Sequence, residues 1–87
     1  MTYVSHTVRS LRRDPIPGET VGLVLTLDDD ARIDDVRDVV ESVGGEVVRE
    51  LQLGRLLVRV GHERLGEICE LDGVTTVETD AVLDYSG

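Results

Sequence analysis

The sequence predicts an α+β domain built in the order β-α-β-β-α-β. Three observations carry this. Residues 20–27 place Val21, Leu23, Leu25 and Leu27 at alternate positions, the period of a strand with one apolar face. Residues 33–43 then change period: Ile33, Val36, Val39, Val40 and Val43 recur at helical spacing. Turn glycines at 44–45, 54 and 73 punctuate the rest into segments of strand and helix length.

The elements follow in order. Residues 1–19 form an arm in which Val4, Thr7, Val8 and Leu11 permit a short helix. Asp14-Pro15 ends it, because a residue before proline avoids the helical region. So short a helix is marginal alone, so the arm must dock, dimerise or stay loose. The first domain strand, Thr20–Leu27, is stopped by Asp28-Asp29-Asp30. These aspartates stand where they can cap the following helix and face the positive end of its dipole. Gly44-Gly45 closes that helix. Val47–Leu51 and Arg55–Val60 form an antiparallel hairpin around Gln52-Leu53-Gly54. In its second strand Leu56, Val58 and Val60 alternate with Arg55, Leu57 and Arg59. Leu65, Ile68 and Cys69 stripe a second helix from about His62 to Leu71, which Gly66 weakens and Asp72-Gly73 ends. Val74–Thr79 is the last strand and 81–87 a tail. Two right-handed crossovers joined by a hairpin give a ferredoxin-like sandwich. Its sheet has four antiparallel strands, the first and third central, with both helices on one face. The domain therefore spans residues 20–80.

Composition narrows the function classes. The chain has 87 residues, no Phe or Trp and 15 valines, a palette suited to strands in a small core. No apolar run approaches the ~18 residues of a membrane span. Eighteen acids against nine arginines, with no lysine, give a net charge of −9. Phosphates repel such a surface, which argues against nucleic acid. An acidic, lysine-free surface resembles proteins of salt-loving archaea, whose self-repulsion is screened at molar ionic strength. The arm alone is slightly basic, through Arg9, Arg12 and Arg13. Arg12-Arg13 is followed by Asp14-Pro15-Ile16-Pro17-Gly18 rather than an apolar stretch, so it is not an export signal. The expectation is a cytoplasmic protein.

Catalytic and ligand-binding motifs do not assemble. One cysteine excludes an internal disulfide and a cysteine zinc site. Cys69, on an apolar stripe with no histidine placed to serve it, reads as core. His62 reads as a capping or exposed residue. The aspartates at 28–30, 34, 35 and 38 lack the spacing of a calcium loop and read as a solvated, helix-capping face. Gly44-Gly45 leads out of a helix rather than into one, so it is no phosphate loop. Neither a cofactor nor a metal is expected, and the chain is not read as an enzyme. In the last strand, Thr76, Glu78 and Asp80 fall on one side and Val77 on the other. Val77 should face the helices, leaving Glu78 and Asp80 on the open sheet face.

Four segments resemble the subtilisin propeptide family, also called inhibitor I9. They are Val21–Leu27, Val43-Gly44-Gly45-Glu46-Val47-Val48, Leu56-Leu57-Val58-Arg59-Val60, and Leu71-Asp72-Gly73-Val74 continuing through Val77-Glu78-Thr79-Asp80-Ala81-Val82. The match covers about residues 20–86. The resemblance implies an inhibitor or trans-acting folding chaperone of a subtilisin-like serine protease. It implies that the open sheet face packs on two protease helices, with Glu78 and Asp80 capping their N-termini, and that the tail lies in the substrate cleft. Carboxylates at helix N-termini satisfy orphan N–H groups and oppose the dipole. In the cleft, Tyr85 in the primary pocket would place Val82 in the second apolar pocket. The family's spacing would place Ser86 and Leu83 there instead. The chain departs from the pattern in its extra basic arm, and neither a following protease nor a preceding signal peptide is expected. A competing reading is a small interaction module that self-associates as a homo-oligomer through the sheet face. That face offers mainly Val24 and Leu57 among polar residues, which is thin for an obligate interface.

Overall fold

The computed structural model describes residues 3–80. They form strand β1 (Tyr3–Val4), helix α1 (His6–Arg13), β2 (Thr20–Leu27), α2 (Ile33–Ser42), β3 (Glu46–Leu51), β4 (Arg55–Gly61), a 3₁₀ turn (His62–Arg64), α3 (Leu65–Cys69) and β5 (Val74–Thr79). The sheet order is β1-β5-β2-β4-β3. From β2 onward this is the expected ferredoxin-like arrangement, with β2 and β4 central and the β3–β4 hairpin antiparallel. The arm extends it to a mixed five-stranded sheet, because β1 pairs in parallel with β5 through Tyr3↔Thr76 and Val4↔Val77.

Contacts with the rest of the fold hold the arm in place. Ser5 caps α1, its Oγ accepting from the Val8 N–H at 3.3 Å, and its own N–H donates to the Val77 carbonyl at 3.0 Å. Arg12 and Arg13 sit at the C-terminal, negative end of the helix dipole. Val8 is fully buried, and Val4 and Leu11 pack against the same core. Burying such an apolar stripe is what stabilises a helix too short to persist alone.

Core residues occupy one side of the sheet. The antiparallel registers Leu25↔Val77, Leu25↔Leu56, Leu23↔Val58 and Val21↔Val60 align the apolar side chains in rows. Val8 of α1, Val36 and Val40 of α2, and Leu65, Ile68 and Cys69 of α3 close over these rows. Gly45, just after α2, is required by close approach: a Cβ there would lie 2.7 Å from Val60 Cγ1 and 2.9 Å from Val40 Cγ1.

Three local expectations need correction. The aspartates at 28–30 do not cap α2. Its N-cap is Arg32, with no side-chain bond, while Asp34 and Asp35 supply the first-turn negative charge. Asp28 instead ties the sheet, donating its N–H to the Gly73 carbonyl at 2.7 Å. The second predicted helix is a 3₁₀ turn and a short α3, ending at Cys69 rather than Leu71. His62 is neither exposed nor a cap. It is 7% exposed, and its Nδ1 accepts from the Ile16 N–H at 3.2 Å, while its N–H donates to the Glu19 carbonyl. It fastens the proline-containing connection that leads from α1 into β2.

Candidate functional site

The side of the sheet that α1, α2 and α3 leave uncovered is the candidate site. Strand alternation and register place its side chains in rows across the strands. One row runs Tyr3, Thr76, Thr26, Arg55, Leu51; the next Glu78, Val24, Leu57, Arg49. A third joins Gly22, Arg59 and Glu46, and Asp80 adjoins it, its N–H donating to the Gly22 carbonyl at 2.9 Å.

Glu78 is exposed and, among the described residues, has no ion-pair or side-chain hydrogen-bond partner. Asp80 is half-buried two residues on. Val77, between the flanking Thr76 and Glu78, is fully buried beneath the helices, as the alternation required. Glu78 and Asp80 thus lie two residues apart at the C-terminal end of β5. The other candidate residues, Val82, Leu83, Tyr85 and Ser86, lie outside the described residues.

The opposite half of the face is cationic. Arg55 and Arg59 flank Leu57 on β4, and Arg49 lies across from it on β3. Leu57 is only 8% exposed although it stands outside the core cluster under the helices. Arginine stems cover neighbouring apolar surface while their heads stay in water, which fits this burial. Arg59 approaches Glu46 at 4.0 Å, and Arg55 Nε donates to the Gln52 carbonyl at 3.1 Å. The alternation of Arg55, Leu57 and Arg59 was readable in the sequence. The placement of Arg49 beside them was not, because a bulge between Val47 and Arg49 shifts the register of β3.

Among the described residues, the helical side offers no comparable chemistry. Cys69 is buried, and desolvation pushes its thiol up, against the lowering effect of Arg12 and together with Glu70. A protonated, buried thiol is a poor nucleophile. A cleft of about 530 Å³ opens between the start of α2 and the loop before β5. Its walls carry Asp30, Asp35, Glu70, Asp72 and Arg32 but no histidine, hydroxyl or thiol. Among the described residues no three His, Cys, Asp or Glu side chains are grouped to hold a metal ion.

The uncovered sheet face is an open surface with separated charges rather than an enclosed cavity. Comparison with curated proteins and with solved structures gave no match. Comparison with protein families gave a match over residues 3–80, which takes in most of the arm as well as the sandwich. The chain belongs to the family described as Putative peptidase inhibitor domain.

Proposed function

We propose that the protein inhibits a subtilisin-like serine peptidase, or assists its folding in trans, through its open sheet face and its C-terminal tail. Family membership supports a peptidase as partner and a binding rather than a catalytic role. The observation that carries the binding mode is Glu78, exposed on the uncovered face, with Asp80 two residues on, just past the end of β5. Two carboxylates there suit the N-termini of two peptidase helices, where orphan N–H groups and the dipole favour negative charge. The tail then follows into the substrate cleft, adding main-chain hydrogen bonds and placing Tyr85, or in the alternative register Ser86, in the primary pocket.

Titration of purified subtilisin with the protein at high salt tests the reading. The full chain should inhibit stoichiometrically, and a chain lacking residues 82–87 should fold but not inhibit. Glu78→Ala should weaken inhibition by about 1–3 kcal/mol, roughly five- to 150-fold, if it caps a buried helix terminus. Full inhibition by the truncated chain would rule out the tail-in-cleft mode.

A further inference from the structure

Two features of the β3–β4 hairpin bear on what it could bind. Leu53, at its tip, is the one non-glycine residue with positive φ among the described residues, at 64°, and Gly54 follows at 68°. Two successive left-handed residues favour Asn-Gly, and a leucine there is strained. Its side chain is 86% exposed, so nothing within the fold compensates the strain. Strain kept at an exposed apolar residue points to contact with something else. Independently, three of the nine arginines of a chain carrying −9 gather on this half of the open face. Arg49 among them has no ion-pair partner within the described residues.

We infer that the hairpin is a second docking element for the peptidase: Leu53 enters an apolar recess, and Arg49, further along the same strand, meets a carboxylate. This rests on the inhibitor reading above. The face is split by charge, with Glu78 on β5 and the arginines beyond β2 on β4 and β3. A complementary partner is therefore positive, or offers helix N-termini, at one end and is acidic at the other. The tip lies by Leu27, whose N–H donates to the Gly54 carbonyl at 2.8 Å, whereas Asp80, the last described residue, lies beside Gly22. These points are five residues apart along β2, about 17 Å. Only a partner as broad as an enzyme surface reaches tail, face and tip together. A second copy fits less well. The face spans on the order of 400 Å² by strand spacing and length, against ~800 Å² per partner in a standard interface, and each copy brings the same net charge.

The test uses the full chain, subtilisin as probe, and the variants Leu53→Asn and Arg49→Glu. Leu53→Asn should keep or raise the Tm, because asparagine tolerates the left-handed conformation, yet weaken inhibition roughly tenfold, the loss of one anchor residue. Arg49→Glu should slow association and reduce its dependence on salt, with the Tm unchanged. Wild-type inhibition constants and association rates in both variants would overturn the hairpin's role while leaving the inhibitor reading intact. Failure of the unmodified chain to inhibit would overturn both. A wild-type dimer that Arg49→Glu dissociates, with inhibition unchanged, would assign the surface to a second copy and overturn the peptidase assignment.

Discussion

The two sides of one sheet are made from the same strands by alternation, and they differ in nearly everything else. Beneath the helices, Leu23, Leu25, Leu56, Val58, Val60 and Val77 are buried in aligned rows. On the other side the same strands present Glu78, Val24, Arg55, Leu57 and Arg59, with Asp80 where β5 ends. The first side spends its residues on packing. The second carries Glu78 without an ion-pair partner among the described residues, a leucine covered outside the main core, and a hairpin tip whose left-handed position holds a leucine. Where a small domain leaves stability unclaimed, its binding surface is the natural place to look.

Substitutions on the two sides should separate these roles. The largest effect is expected from Val8→Asp, which places a carboxylate in the core under α1. It should cost more than about 3 kcal/mol and lower the thermal midpoint beyond the point of stable folding. A midpoint near wild type would mean that the arm does not dock in solution. Next comes the neighbouring pair at positions 77 and 78. Val77→Ala should cost about 2 kcal/mol in urea denaturation, whereas Glu78→Ala should change stability by less than about 0.5 kcal/mol. Equal effects would erase the distinction between the faces. Gly45→Ala should cost about 1–3 kcal/mol, since its methyl would collide with Val60 and Val40. Smaller still is the contribution of the Cys69 thiol. Its folded pKa is raised above the ordinary 9.0 by burial, so the stabilisation is complete below that value. It is lost as pH rises through the higher folded value. Stability should therefore decline above about pH 9 in the native protein but less so in Cys69→Ala, and native Cys69 should resist alkylation at neutral pH.

The excess of acids adds a prediction of a different kind. We propose that the surface is adapted to high salt, as its lysine-free composition suggests. The midpoint should then rise between 0.1 and 2 M salt as repulsion is screened to within ~3 Å at molar ionic strength. A flat or falling midpoint would count against this adaptation, and would leave the comparison of the two faces untouched.

The sequence by itself determined which residues form the strands of the sandwich, which side of its apolar strands faces the core, and that Glu78 lies on the open side. Periods of two and 3.6 are local properties of the backbone, so they are written into consecutive residues. Tertiary structure decided the rest. Whether the arm stays loose or adds a strand and a helix depends on whether β5 has a free edge and the core a gap for Val8. Neither is a property of residues 1–19. His62 is polar by type, and only its meeting with Ile16, 46 positions away, makes it a buried acceptor. Arg49 reaches the open face because β3 bulges against β4, and Leu53 takes a left-handed conformation because the two strands must close around it. Register between strands is set by contacts distant in sequence, so a cluster that spans strands becomes legible only once they are paired.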